Sequence, residues 1–392
     1  MAFTIVLSQR PKIENSILMK TVTRLLILLS IGVFVVLFVL MARDKRIANR
    51  DNYLCPGKEV VEELKYFLEN EQFDVLDAKS SHYIKYYPYS GELYGLRAIA
   101  EAKLGNYIRS ETDTDRAILI NPSVNWIYVA RGICRLESLR LGRALSEFDS
   151  AEQLGTGNSI FFAARAETEA ALNLFKASWI DSEKALKLNP RNVDALTIQA
   201  ELLLARLQYE QVLANVRFAE KREPDNLAVK TIKLCALDGL GQKQEASLEA
   251  RKIVKLAGEK LQEIKAGNSK WGLRDSVIAS TARGYAFLYE NKIQPAISDF
   301  SQVLNMVPCY PLALEGKAKA LLKANKLKEA LDCLSGLEGI KNNRMSVILL
   351  EAEIYYQQKE YAKSYRLVDL LMKRGCNLPQ VKALAEALKK NR

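Results

Sequence analysis

One step, 34 residues long, constrains this chain more than any other feature. The basic-then-small pairs Arg97-Ala98, Arg131-Gly132 and Arg165-Ala166 each lie 34 residues after the last. Pro88, Pro122, Pro190 and Pro224 fall on the same grid, with Thr156 standing where a proline is skipped. A constant period of that length marks a stacked architecture, in which one supersecondary unit recurs and each copy buries its apolar face against the next. Tyr94 to Pro122 shows the unit in full: two short amphipathic helices, a turn at Leu104-Gly105-Asn106 and a stop at Asn121-Pro122. At 392 residues the chain exceeds what one compact core holds, which agrees with a solenoid or several domains.

The unit resembles a tetratricopeptide repeat (TPR). That family's pattern places a small residue in the first helix, a glycine-like turn, an aromatic, two small residues flanking a larger one in the second helix, and a closing proline. Phe162, Ala166, Asn173, Phe175, Ser178, Ser182, Ala185 and Pro190 fit it. So do Leu196, Ala200, Tyr209, Val212, Ala219 and Pro224, and Tyr128, Gly132, Ala144, Phe148 and Ala151. Small residues let paired helices approach closely, and large apolar ones fill the gap to the next pair. The resemblance covers most of residues 57 to 390. It implies an all-α helix-turn-helix solenoid of about nine repeats, whose first helices line a concave face that takes a protein or peptide.

Taken in order, residues 1–24 form a basic tail carrying Arg10, Lys12, Lys20 and Arg24, and Met19-Lys20 offers a second start. Leu25 to Ala42 carries no charge and is long enough to span a hydrocarbon core of ~30 Å as a helix. A cleaved signal has a shorter apolar region of ~7–15 residues and a small-residue cleavage site, so an uncleaved single-pass anchor is expected, in a bacterial inner membrane. Residues 43–56 are a polar linker with Arg43, Lys45, Arg46 and Arg50. Counted from Met19, the charges flanking the span favour repeats in the cytoplasm. Short N-terminal anchors commonly place a large domain outside, and both faces stay open.

Repeats are expected over 57–255 and 277–377, and a capping helix over 378–392. Between the repeat blocks the register breaks: from Lys233-Leu234 to Arg283-Gly284 the step is 50 residues. The surplus lies in Leu256 to Ser276 and is expected to project as a helical extension and loop around Trp271.

Catalytic constellations are missing from the pattern. His82 is the only histidine, and nothing near it suggests a nucleophile. The six cysteines show no metal-ligand spacing, and Gly239-Leu240-Gly241 lacks the further glycine of a phosphate loop. No enzymatic activity, metal or cofactor is expected. The basic ladder Arg97, Arg131, Arg165, Arg283 and Lys317 invites a nucleic-acid reading. Side-chain stems covering apolar surface explain it better, and a phosphate-binding array would also want aromatics available beside it for stacking.

The function expected is a membrane-anchored scaffold or adaptor that binds a protein or peptide in its groove. The alternative is an envelope or secretion assembly factor that uses the same groove for transient clients. By resemblance the groove positions are Trp126, Val129 and Ile133, then Ala163 and Glu167, then Thr197 and Glu201. After the break come Thr281, Tyr285 and Tyr289, then Leu349, Glu353 and Tyr356. Family members that bind acidic chaperone tails place lysine and asparagine where this chain has Gly95, Ile99, Val129 and Ile133. The wall expected is therefore apolar and aromatic with scattered acid, suited to an apolar helix or extended segment with basic flanks.

Overall fold

The computed structural model describes residues 56–267, 272–337 and 344–390. The tail, the apolar run 25–42, nearly all of the linker, and Trp271 lie outside the described residues. Among the described residues no helix is long and apolar enough to cross a membrane.

Helix starts and stops follow local chemistry that repeats with the period. Ser90, Asn158, Asn192 and Asn226 cap first helices by accepting from the N–H of Leu93, Phe161, Ala195 and Val229. Those first helices end on a residue with positive φ: Glu71, Gly105, Leu139, Asn173, Leu207 and Gly241, then Asn291, Asn325 and Lys359. This left-handed residue turns the chain so that the following N–H returns to the helix end. The Asn106 N–H donates to the Glu101 carbonyl at 2.7 Å, and the Arg140 N–H to that of Arg135 at 2.8 Å.

The result is nine antiparallel hairpins and a closing helix, nineteen helices among the described residues. The pairs are α1 (Lys58–Glu69) with α2 (Phe73–Ile84), α3 (Gly91–Lys103) with α4 (Tyr107–Ile120), and α5 (Asn125–Glu137) with α6 (Leu141–Gln153). Next come α7 (Ser159–Ala171) with α8 (Phe175–Leu188), α9 (Val193–Ala205) with α10 (Tyr209–Arg222), and α11 (Leu227–Gly239) with α12 (Lys243–Lys265). The last are α13 (Leu273–Tyr289) with α14 (Ile293–Met306), α15 (Pro311–Lys323) with α16 (Leu327–Ser335), and α17 (Met345–Gln357) with α18 (Tyr361–Lys373). Helix α19 (Pro379–Lys390) covers the final pair with Val381 and Leu388. The fold is an all-α solenoid.

First helices form the inner layer and second helices the outer one. Successive inner helices touch, and they are buried on most sides, whereas outer helices leave residues such as Ile108 and Leu119 exposed. Close approach depends on small residues. A Cβ added to Gly132 would lie 2.5 Å from the Phe148 ring, and one added to Gly316 would lie 2.4 Å from Phe300.

Each hairpin but the last two is also braced by a polar rung between positions sixteen residues apart. Arg97 grips Asp113 with two bonds of 2.6 and 2.8 Å, and Arg283 grips Asp299 at 2.8 and 2.7 Å. Arg165 reaches Asp181 at 2.5 Å, Arg131 reaches Glu147 at 3.0 Å and Lys233 reaches Glu249 at 3.2 Å. Asn215 donates to Gln199 at 3.1 Å, and the first hairpin reverses the polarity with Lys79 on Glu63 at 2.8 Å. The basic ladder is thus explained by the charged head as well as the stem. Lys317 has Cys333 at the partner position and no rung.

Where the register breaks, α12 runs for 23 residues. The expectation that this segment projects from the solenoid is not met. Ala257 and Leu261, in its added turns, are buried against the core, and the chain after it re-enters the inner layer at Gly272. Apolar residues at helical spacing beyond the usual stop already give α12 a face that must be covered.

Curvature is tight enough that hairpins three or four steps apart meet. Inner helix α1 contacts α7, α5 contacts α13, and α9 contacts α17. The Asn189 side chain donates to the Glu69 carbonyl at 3.0 Å, and Gln380 to that of Gly239 at 3.1 Å.

Two outcomes follow from these local devices. Arg283→Ala leaves Asp299, 6 % exposed, without its partner and is expected to cost about 3 kcal/mol in urea unfolding. Adding Asp299→Ala should recover more than 1 kcal/mol of that, about the coupling of a direct pair; strict additivity would refute the rung. Lys359, exposed and at φ 62°, should gain about 1 kcal/mol on replacement by glycine, read as a raised unfolding midpoint.

Candidate functional site

The superhelix curves around a partly open cavity of about 820 Å³ on its inner face. Its wall draws on eight hairpins, from Glu71 in the first to Tyr310 and Leu312 beside the eighth. Polar residues outnumber apolar ones in the lining, which has apolar patches at Phe73, Ile160, Ile198, Leu256 and Ile278.

Charge dominates the geometry. Ten carboxylates and four basic side chains line the cavity. All four cations are engaged by acids of the same wall. Lys103 meets Asp194 at 2.5 Å, Arg222 meets Glu71 at 3.5 Å and Lys260 meets Asp275 at 2.6 Å. Arg274 sits between two inner helices, donating from Nε to Glu167 at 2.6 Å and from Nη1 to Glu137 at 3.2 Å. Tyr107 adds a donor to Glu137 at 3.3 Å, and Lys103, Arg222 and Arg274 each cross between hairpins far apart in sequence.

Burial sets the ionisation. Glu71 is pushed up to about 7 by loss of water, with Asp194 adding repulsion against the pull of Arg222. Glu201 is likewise pushed up to about 7 by burial; Arg344 pulls it down, while Glu315 and Glu167 push it up. Burial raises Glu137 too, opposed by Arg274. Asp194 moves the other way, held down by Lys103.

No family model matches the chain, and no curated protein matches it either. Several solved structures do resemble it. The P58(IPK) TPR domain is 14 % identical, with 85 % of this chain and 97 % of that one covered and a TM-score of 0.28. The Cut9–Hcn1 hetero-tetramer of the APC/C is 16 % identical, covering 85 % and 69 %, with a TM-score of 0.45. YrrB, described as a TPR protein with an unusual peptide-binding site, is 14 % identical, covering 61 % and 97 %, with a TM-score of 0.30. None of these likenesses is close enough to carry a function across.

The structure divides the residues that the sequence placed on the concave face. Glu167, Thr197, Glu201 and Thr281 line the cavity. Trp126, Val129, Ile133 and Tyr285 do not stand free on a groove wall; all four are buried in helix packing. The Tyr285 hydroxyl donates to the Leu312 carbonyl at 2.8 Å, and its ring packs edge-on against Phe300. Tyr289 is half-buried and donates to the Lys243 carbonyl at 2.8 Å, and Tyr356 lies against Tyr361. The apolar, aromatic wall is corrected to an acid-rich one, because close packing of the inner helices takes up the aromatics. Lys103, Glu137, Asp194 and Arg274 belong to the wall and were not expected there. Helical spacing alone would have put Glu137 next to Ile133, one turn on.

Glu201 offers a pH test. A carboxyl whose folded value lies above its unfolded one holds its proton more tightly when folded. The stability this lends is complete below about 4.5 and is lost as pH rises through about 7. Glu201→Gln, which resembles the protonated form, should melt with the parent at about pH 4 and about 2–5 °C above it at about pH 8. An equal difference at both values would show that Glu201 does not titrate in this range.

Proposed function

We propose that the chain is an interaction scaffold that takes a segment of a protein partner into its inner channel. The observation that carries this is the cavity itself. It is assembled from eight hairpins, yet it is lined by half-buried acids, Glu71 and Glu201 among them, whose loss of water raises the free energy of the folded state. Groups held at a cost to stability point to a use other than holding hairpins together. The lining residues Glu167, Thr197, Glu201 and Thr281 are the contacts in this reading, and Trp126, Val129, Ile133 and Tyr285 support them from behind as packing. Tyr289 and Tyr356 are not among the lining residues.

The reading includes a membrane tether at residues 25–42. Its support is the uncharged length of that run and the basic cluster Arg43 to Arg50 behind it. A scaffold tethered in this way would hold its partner at the bilayer.

Site-specific photo-crosslinking in intact cells tests both parts. A photoreactive residue at Thr197, on the channel wall, should give one or a few discrete adducts in the membrane fraction. The same residue at Ile108, 83 % exposed on the outer layer, should give none of them. Identical adducts from both positions would sink the channel reading. A smear of many weak adducts at Thr197 would favour the transient-client role, and recovery of the intact chain in the soluble fraction would remove the tether.

A further inference from the structure

Glu167 and Glu201 occupy the same position in successive repeats, 34 residues apart on inner helices α7 and α9. Their surroundings differ in one respect. Glu167 receives Arg274, at 2.5 Å from Nη2 and 2.6 Å from Nε. Glu201 faces the same cavity with no hydrogen bond and no ion pair among the described residues. Arg344, whose field reaches it, is committed to Glu315 at 2.6 Å. The other cations of the wall, Lys103, Arg222 and Lys260, are bound to Asp194, Glu71 and Asp275. A second polar group is left over on the same wall: Thr281 is 3 % exposed, and its hydroxyl has no partner among the described residues.

Resting on the channel reading above, we infer that the cavity receives a basic, extended peptide segment, and that one of its lysine or arginine side chains docks on Glu201 as Arg274 docks on Glu167. Charge complementarity commits the occupant. The wall carries ten acids and four cations, and every one of those cations already has an acid partner. An acidic or neutral segment would leave Glu201 as it is. A cation supplies the missing partner in a low-dielectric setting, where a charge-assisted hydrogen bond is at its strongest. Thr281, which can donate or accept, is available to the backbone of the same segment. Arg274 thus acts as a built-in stand-in that shows how this wall holds a guanidinium.

The test uses the purified full-length chain in mild detergent and three labelled peptides of about twelve Ala and Ser residues. One carries a central Arg-Arg pair, one has citrulline in place of both arginines, and one has glutamate. Fluorescence anisotropy should show the arginine peptide binding at least tenfold more tightly than the other two. The Glu201→Gln variant should lose that tenfold preference. Glu210→Gln, an exposed outer-layer control, should keep it. The folding of Glu201→Gln is checked by melting, and Thr281→Val provides a second variant expected to weaken binding by about threefold. Absence of arginine-peptide binding, equal binding of the citrulline peptide, or an unchanged preference in Glu201→Gln would overturn the inference. Crosslinks at Thr197 answer separately: a partner captured there through a segment without lysine or arginine would sink this inference and leave the channel reading standing.

Discussion

Arg274 ties together more of this molecule than any other side chain described above. Its guanidinium joins α13 to Glu167 on α7 and Glu137 on α5, which lie 107 and 137 residues earlier. Repeats stacked only on their neighbours would not fix how the two ends of a superhelical turn approach each other. A bond from the seventh hairpin to the third and fourth does fix it, and with it the width of the channel. The longer α12 delivers the chain to that point, and Gly272 allows it to arrive: a Cβ there would lie 3.3 Å from the Tyr107 hydroxyl and 3.4 Å from the Glu137 carbonyl. Burial makes the bond consequential, since removing the arginine would leave Glu137 and Glu167 facing each other with no cation between them.

The hairpin is the part of the fold that can be read from residues alone. Proline stops, the Gly105 and Asn173 turns, and the small residues at Ala98, Gly132 and Ala166 are local signals with local physical causes. Each keeps its meaning whatever the rest of the chain does. Leu139, Leu207 and Lys359 take the same left-handed turn without a glycine or asparagine, and the period alone betrays them. The rungs were half legible. Arg97, Arg131 and Arg165 stood out as a ladder, but their acids Asp113, Glu147 and Asp181 sit in outer helices rich in other charges. Sixteen residues is the distance across one turn between antiparallel helices, and that spacing acquires meaning only once the hairpin is assumed.

The site was less legible, because it depends on curvature. Each repeat adds a small rotation, and whether the inner face ends as an open groove or a closed channel depends on their sum over eight repeats. No single position carries that sum. Concave-facing positions chosen by analogy therefore mixed two populations. Ile133 is buried in helix packing, while Glu167 and Glu201, one and two repeats later at the same position, line the cavity. Residue type separates the two better than register does: a large apolar side chain finds cover between helices, and an acid cannot accept that cover without a partner.

The same reasoning explains how a chain of net charge +11 comes to enclose an acidic interior. Its cations are spent in two ways. Arg97, Arg131, Arg165, Lys233 and Arg283 are turned within their own hairpins onto acids of the outer layer. Lys103, Arg222 and Arg274 are drawn onto acids of distant hairpins, and Lys260 onto Asp275 of the next one. Neither set leaves a positive charge free to face Glu201. Low-dielectric walls around a surplus of one sign concentrate its field at the opening, so the channel attracts cations although the molecule as a whole repels them. Bulk charge and site charge are opposed here, and it is the site charge that a docking segment meets.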